Sequence, residues 1–351
     1  MAVTILKPSM SLLLPAQNKM GKIIRIGTRE SELAVWQATQ VKQLLAQHGY
    51  EAELVYIKSE GDIDLNTPLY EMGVQGVFTR SLDSALLNNK IDIAVHSMKD
   101  VPTQLPKGIL QAAVLKRGPV KDLLVWKGEW EELSTRLGFV NGEWSMVNED
   151  ASTIGNTLTT HHLPLTIATS SIRRKAQWLH RYPNSAVENL RGNVNTRLRK
   201  LKEENWDAAI FAAAGLQRIN LRPENSIELD WMLPAPAQGA IMVVCREEDD
   251  YALDACVQFN DADTAFCTKI EREFLRALLG GCSTPISAYA EVIDEEIHFR
   301  GNIFSLDGKQ KAEYENTVSI PEAAHLGLEA AEEILMHGGK AIADSIKHAG
   351  K

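Results

Sequence analysis

The sequence predicts an α/β protein with two lobes, each built around a parallel sheet, followed by a small C-terminal α+β domain. Short apolar strands alternate with amphipathic helices from residue 22 to about residue 215, and this alternation is typical of parallel sheets flanked by helices. A stretch of prolines and small residues, 233–240, indicates a hinge where the chain crosses between lobes. Residues 260–351 instead place a helix before consecutive strand patterns, which favours a separate α+β unit.

Composition limits the class of protein. A chain of 351 residues is long for a single core, and the balance of 44% hydrophobic and 24% charged residues is typical of a soluble globular protein. No apolar run is long enough to span a bilayer, so no membrane partner is expected. The net charge of −9 argues against a general nucleic-acid binder. The four cysteines form no C-x-x-C pair and have no neighbouring histidine, so we expect no metal, no disulfide framework and a reducing, cytoplasmic location.

The first ordered element is a strand at 22–26 that ends in Gly-Thr-Arg. A helix is expected from Ser31, with Gly49 at its end and one apolar stripe, which comprises Ala34, Ala38, Val41 and Leu45. A strand that breaks into a helix presents free backbone N–H groups where anions bind, and Arg29 adds a forked donor suited to a carboxylate. A solvated arginine near a helix start explains the same pattern. Residues 1–20 are expected to be a disordered extension.

Three polar side chains follow the apolar strand at 91–95. Ser97, Lys99 and Asp100 come at its C-terminal end, before Pro102 stops it. In open α/β sheets this edge is where ligands bind, so the trio is a candidate site. The alternative is that Asp100 caps a turn before Pro102. The elements predicted between Gly49 and this strand are a strand at 53–58, a loop at 61–76 and a helix at 77–88.

A second strand-to-helix junction carries hydroxyl groups and then two arginines. Thr169, Ser170 and Ser171 stand at the junction, and Arg173 and Arg174 fall in the first helical turn, where cations oppose the helix dipole unless an anion lies nearby. Residues 173–202 contain nine basic residues and one acid. This favours a polyanionic small ligand or a run of nucleic-acid phosphates, although a solvated helix face at 197–202 explains part of it.

The remaining pattern leads to an accessible cysteine. A strand at 208–214 ends in Gly-Leu-Gln-Arg218, and the hinge precedes a strand at 241–245. Cys282 follows two glycines and is expected to be exposed, as a nucleophile, an attachment point or a free thiol. The elements predicted in the C-terminal domain are a helix at 264–279, strands at 286–292, 297–303 and 312–318, and a helix at 322–336.

The sequence contains six motifs, which are Gly27-Thr28-Arg29-Glu30-Ser31-Glu32-Leu33-Ala34, Val95-His96-Ser97-Met98-Lys99-Asp100-Val101-Pro102, Thr169-Ser170-Ser171-Ile172-Arg173-Arg174, Arg191-Gly192-Asn193-Val194-Asn195-Thr196-Arg197-Leu198, Ala214-Gly215-Leu216-Gln217-Arg218 and Gly280-Gly281-Cys282-Ser283-Thr284-Pro285. Together they resemble the porphobilinogen deaminase (hydroxymethylbilane synthase) family, in the family's order and over nearly the whole chain from residue 22.

The resemblance implies two periplasmic-binding-protein-like (type II) lobes and a C-terminal domain that carries a cofactor. It implies a transferase of haem biosynthesis that joins four porphobilinogen molecules head to tail, releases ammonia and yields hydroxymethylbilane. The cofactor would be a dipyrromethane bound by a thioether to Cys282, with Asp100 handling proton transfers. The domains implied are 21–118 with 237–259, 119–236, and 260–351.

Each porphobilinogen carries an acetate and a propionate, so an arginine-rich cleft suits the growing chain. The resemblance implies binding roles for Arg29, Ser31, Arg80, Ser97, Lys99, Thr169, Ser170, Ser171, Arg173, Arg174, Arg191, Asn193, Arg197, Arg218, Gln238 and Gly239. We expect a monomer with porphobilinogen as its partner and no nucleic acid. The alternatives are a non-catalytic carboxylate-binding protein of the same architecture and a nucleic-acid binder using the 173–202 cluster.

Overall fold

The computed structural model describes residues 21–59, 78–140, 143–144, 165–278 and 284–349. The predicted extension, the predicted loop at 61–76 and Cys282 lie outside these residues. The strands are β1 (Ile24–Thr28), β2 (Ala52–Tyr56), β3 (Ile93–Ser97), β4 (Ile109–Val114), β5 (Asp122–Trp126), β6 (Phe139–Val140), β7 (Glu143–Trp144), β8 (Thr166–Ala168), β9 (Ala186–Glu188), β10 (Ala208–Ala212), β11 (Ser226–Glu228), β12 (Ile241–Arg246), β13 (Ile286–Ile293), β14 (Glu296–Phe304) and β15 (Lys311–Ser319). The α-helices are α1 (Glu32–Gln47), α2 (Arg80–Leu87), α3 (Trp130–Leu137), α4 (Ile172–Arg181), α5 (Val194–Glu203), α6 (Ala213–Gln217), α7 (Asp250–Val257), α8 (Ala262–Leu278), α9 (Leu326–Ile334) and α10 (Lys340–Ala349).

Two five-stranded sheets form the two lobes, and they share one strand order. The first is β2-β1-β3-β12-β4 and the second, read from the other edge, is β9-β8-β10-β5-β11. In each sheet three parallel strands are followed by an antiparallel strand, which is β12 in the first lobe and β5 in the second. Each of these two antiparallel strands comes directly after the chain has crossed from the other lobe. The chain therefore crosses twice, at residues 115–121 and 229–240. The predicted pair of α/β lobes is confirmed.

Local sequence explains how the first lobe begins. Ser31 is the N-cap of α1, and its hydroxyl accepts a hydrogen bond from the N–H of Ala34. The buried face of α1 is the predicted apolar stripe, with one addition, Gln37. This face packs on β1 and β3 in the core of the first lobe, where Ile24, Ile26 and Ile93 are buried.

The C-terminal domain is a helix-covered antiparallel sheet, as predicted. Strands β13, β14 and β15 pair in sequence order, and α8 and α9 cover them around Phe274 and Phe299. The last helix predicted, 322–336, is instead a 3-10 segment, Ile320–His325, with Pro321 in its first turn, followed by α9. Helix α10 was not predicted, because Gly338 in the sequence is expected to end the preceding helix. In the structure Gly338 has φ +98° and forms a kink between two helices. The domain boundaries given above stay predictions.

No helix in the described part of the chain has the length and apolar character needed to cross a bilayer.

One buried aspartate, at the N-terminal end of β3, forms ion pairs with three basic residues of the first lobe. Asp92 is 2% exposed and binds Lys22, Arg25 and Arg246, with its Oδ2 2.9 Å from Arg25 Nε. Burial alone would raise the pKa of Asp92, but the hydrogen bonds and charges of Arg25 and Lys22 hold that pKa well below its usual range. The charged carboxylate therefore stabilises the folded state.

A carboxylate with a lowered folded-state pKa contributes stability above its unfolded pKa of about 3.9 and loses it as pH falls further. We expect Asp92→Asn to lower the free energy of unfolding by about 3 kcal/mol at pH 7, and by progressively less below pH 4. Urea denaturation across pH checks this, with the exposed Asp254→Asn as control. A difference between parent and Asp92→Asn that stays constant down to pH 2 would contradict it.

Candidate active site

The turn that carries Asp100 follows the C-terminal end of β3. Residues Met98–Asp100 form a single 3-10 turn, anchored by the side chain of Met98, which is 1% exposed. Arg272 of α8 donates to the carbonyls of Val101 and Pro102, at 2.9 and 2.6 Å. The backbone that bears Asp100 is thus held by the C-terminal domain as well as by its own lobe.

A small pocket that is partly open to solvent lies at this strand end. It brings together three predicted site residues, Arg29, Ser97 and Asp100; its other lining residues are Ala34, Gln37, Phe78, Thr79, Val95 and His96. The Arg29 guanidinium lies 4.7 Å from the centroid of the Phe78 ring, which forms part of the same wall. The described lining residues thus bring one carboxylate, one guanidinium and several neutral polar groups to the pocket.

Sequence reasoning missed two residues of this pocket. Gln37 donates from Nε2 to Ser97 Oγ at 2.8 Å, which fixes the hydroxyl of a predicted site residue. The sequence feature that could have indicated Gln37 is its position as a polar residue within the apolar stripe of α1. Burial, and then the charge of Arg29, lower the pKa of His96 to about 3, so this imidazole is neutral at ordinary pH.

The arginine pair of the second lobe meets a carboxylate of the protein itself. Ser171 caps α4, which places Arg173 and Arg174 in the first turn. Each donates from Nη2 to a different oxygen of Asp122, both at 2.7 Å, and all three side chains are nearly or fully buried. Burial alone would raise the pKa of Asp122, but the two guanidinium charges hold that pKa well below its usual range. Sequence reasoning missed Asp122. The feature that could have indicated it is a single acidic residue at the start of the otherwise apolar strand β5.

Gln238 links this cluster to the first lobe. Its Nε2 donates to Asp122 Oδ1 at 2.9 Å, and its Oε1 accepts from Lys99 Nζ at 3.2 Å. Burial, and then the charge of Arg174, lower the pKa of Lys99 to about 8. Lys99 therefore lies close enough to the arginine pair of the other lobe for their charges to interact.

Three further arginines were predicted to bind ligand. Arg197 donates from Nε to the Gly192 carbonyl at 2.7 Å, and Arg218 donates from Nη2 to the Gly239 carbonyl at 2.6 Å. Burial lowers the pKa of each to about 10, and the charge of Arg174 contributes at Arg197. Arg191 is 3% exposed.

The other predicted residues have local structural contacts. Ser31 and Asn193 cap α1 and α5, and Thr169 Oγ1 accepts from the Ser171 N–H at 3.2 Å. Ser170 donates to Asn189, and Arg80 is exposed at the start of α2. Gly239 has φ +89°, and a Cβ there would lie 2.7 Å from the Gly118 carbonyl, so only glycine fits.

The cluster carries more positive than negative charge. Among the described residues of this network, Lys99, Arg173, Arg174 and Arg197 interact with two carboxylates, those of Asp100 and Asp122. The Nε atoms of Arg173 and Arg174 are buried, and neither has a hydrogen-bond partner within the described ranges. Buried cations in excess are costly until an anion offsets them. The fold and the cluster therefore define a two-lobed protein with a cleft for a ligand that bears several negative charges.

Comparison with known proteins is consistent with this class. Residues 24–254 match the model of the porphobilinogen deaminase dipyromethane cofactor binding domain, and residues 265–336 match that family's C-terminal domain. This chain belongs to the porphobilinogen deaminase family.

The porphobilinogen deaminase of Pelobacter propionicus is 37% identical over 329 residues, which cover 92% of this chain and 97% of the relative. That of Trichlorobacter lovleyi is 38% identical, covering 93% and 97%. Among solved structures, an amino acid ABC transporter substrate-binding protein, AbpA from Streptococcus pneumoniae, is similar with a TM-score of 0.35 and 14% identity, covering 68% of this chain and 87% of its own.

Proposed function

We propose that this chain condenses four porphobilinogen molecules head to tail, with release of ammonia, to give hydroxymethylbilane in tetrapyrrole (haem) biosynthesis. The observation that carries the proposal is the pocket at the end of β3, where Asp100 lies with Arg29 and Ser97 beside a cluster with excess positive charge. Family membership over nearly the full chain supports the same activity.

The cations bind the carboxylates of the substrate. Every added porphobilinogen brings an acetate and a propionate, and bidentate guanidinium groups match that geometry. Arg29 serves the pocket of Asp100, while Arg173 and Arg174 offer their remaining donor atoms from the second lobe. Arg191, Arg197 and Arg218 extend this surface. The remaining predicted residues orient these groups or donate single hydrogen bonds.

Asp100 carries out the proton transfers. The protonated aminomethyl group of the substrate loses ammonia as its C–N bond breaks, which leaves a cation delocalised onto the pyrrole nitrogen. The carboxylate accepts a hydrogen bond from that pyrrole N–H and stabilises the cation. A free ring carbon of a second pyrrole then bonds to the methylene carbon of the cation, and Asp100 takes the proton that this ring carbon loses. Gln37 and neutral His96 contribute no charge that competes with it.

The residues present fit the dipyrromethane cofactor that the family model names. A dipyrromethane with four carboxylates would offset the excess buried cations, and the unpaired Nε atoms of the arginine pair lie within that cluster. Lys99, Arg173 and Arg174 would hold it, and Cys282 would attach it through a thioether. When bound, it supplies the pyrrole carbon that primes the chain.

The intact mass of the purified protein tests the attachment. We expect the parent to exceed its sequence mass by two porphobilinogen units less two molecules of ammonia, and Cys282→Ala to show the bare mass and no activity. Cys267→Ala is the matched control, since burial raises the pKa of that thiol to about 12 and leaves it unreactive. Bare masses for parent and variant after incubation with porphobilinogen would favour a non-catalytic carboxylate-binding protein.

A monomeric state, a cytoplasmic location and the absence of a nucleic-acid partner stay predictions. Gel filtration tests the first. A gel shift that weakens steeply with salt would favour the nucleic-acid alternative for the 173–202 cluster.

A further inference from the structure

The helix that carries the arginine pair is fixed one turn later by a neutral side chain. Gln177 of α4 is 4% exposed and binds both ends of one residue's backbone. Its Oε1 accepts from the Leu233 N–H at 2.9 Å, and its Nε2 donates to the Leu233 carbonyl at 3.0 Å. Arg173 donates from Nη1 to the same carbonyl at 2.7 Å. The position of Arg173 therefore depends on a peptide group that Gln177 holds.

Leu233 is the first residue of the hinge between the lobes. Pro234 and Pro236 have no N–H, so few backbone donors are available to hold this segment. Four residues further on, in the middle of the hinge, the N–H of Ala237 donates to Glu271 Oε2 at 2.6 Å. Gln177 thus holds the first residue of the hinge, and Glu271 holds its middle.

Gln177 also reaches the C-terminal domain. Its Nε2 lies 3.1 Å from Ser287 Oγ on β13, and the Ser287 side chain is fully buried. Ser287 follows Cys282 by only five positions in the chain. The amide side chain of Gln177 therefore joins α4 to the hinge and to β13, the strand that begins just after the predicted attachment point, Cys282.

We propose that Gln177 is a positioning residue, which sets the place of Arg173 beside Asp122 by joining α4 to the hinge and to the C-terminal domain. This rests on the proposed function. Gln177 is neutral, so it acts through Arg173 rather than on substrate carboxylates. An arginine that binds a substrate carboxylate equally before and during reaction affects KM more than kcat.

The test uses Gln177→Met, which keeps the length of the side chain and removes its hydrogen bonds. We expect the KM for porphobilinogen to rise about tenfold and kcat to change less than about threefold. Ser287→Ala, which removes only the contact with the C-terminal domain, should raise KM by a smaller factor. The matched control is His180→Ala, since His180 Nδ1 donates to the Gly308 carbonyl at 2.8 Å and joins the same helix to the same domain without touching Leu233.

A second measurement does not depend on activity. Hydrogen exchange of the Leu233 amide should be faster in Gln177→Met than in the parent, and it should be unchanged in His180→Ala. The same differences are expected when the parent, Gln177→Met and His180→Ala each also carry Cys282→Ala. The proposal is wrong if Leu233 exchange is unchanged, if KM stays within twofold of the parent, or if His180→Ala raises KM equally. An inactive parent with the expected exchange pattern would instead contradict the proposed function.

Discussion

Asp100→Asn is expected to lower kcat by about 10²–10⁴-fold, the usual contribution of general acid–base catalysis. The amide has almost the same size as the carboxylate, so the turn Met98–Asp100 and its anchors, Met98 and Arg272, stay in place. In the proposed mechanism, this substitution removes the negative charge beside the pyrrole nitrogen and the acceptor for the released proton. Steady-state kinetics with porphobilinogen measures the effect.

Two controls make this result specific to the carboxylate. Intact mass shows whether Asp100→Asn still carries the cofactor, so that a loading defect is not mistaken for a catalytic one. Asp307→Asn changes an aspartate in the β14–β15 turn and should leave kcat unchanged. If a fully loaded Asp100→Asn protein keeps more than a tenth of the parent kcat, Asp100 does not perform the proton transfers.

Glu271→Gln is expected to lower the free energy of unfolding by about 3–5 kcal/mol, because it leaves a buried guanidinium without its counter-charge. Glu271 is fully buried, and its oxygens lie 2.6 and 3.0 Å from Arg117 Nη1 and Nη2. They also accept from the N–H groups of Ala237 and Ala290. This carboxylate thus joins both crossings between the lobes to the C-terminal domain.

The pKa of Arg117 reports the same interaction. Burial alone would lower this pKa, but the charge and hydrogen bonds of Glu271 raise it above its usual value, so the guanidinium stays charged. Urea denaturation measures the loss in Glu271→Gln, and Lys340→Met, which breaks the exposed pair with Asp344, should cost no more than about 0.5 kcal/mol. The double variant Arg117→Met with Glu271→Gln should cost less than the sum of the two single changes. Additive losses would show that the two charges do not interact.

Some of the site could be predicted because it depends on neighbours in the chain. The apolar run before Ser97 makes a buried strand, so Asp100 had to follow the C-terminal end of a sheet strand. The hydroxyl of Ser171 before a helical pattern placed Arg173 and Arg174 in a first turn, where an anion was expected. The anion found there is Asp122, which the pattern around the arginines does not contain.

The sequence by itself determined the alternation of strands and helices, the proline-containing segment that crosses between the lobes, the cap residues and the polar side chains at strand ends, since these follow from side-chain periodicity, proline sterics and local hydrogen bonds. Only the tertiary structure decided which charges pair. Asp122 and Arg173 are 51 positions apart, Arg117 and Glu271 are 154 apart, and no local rule relates them. The physical reason is that a buried charge requires a partner but does not specify which distant residue supplies it. In this fold, the segments that cross between the two lobes bring these distant residues together.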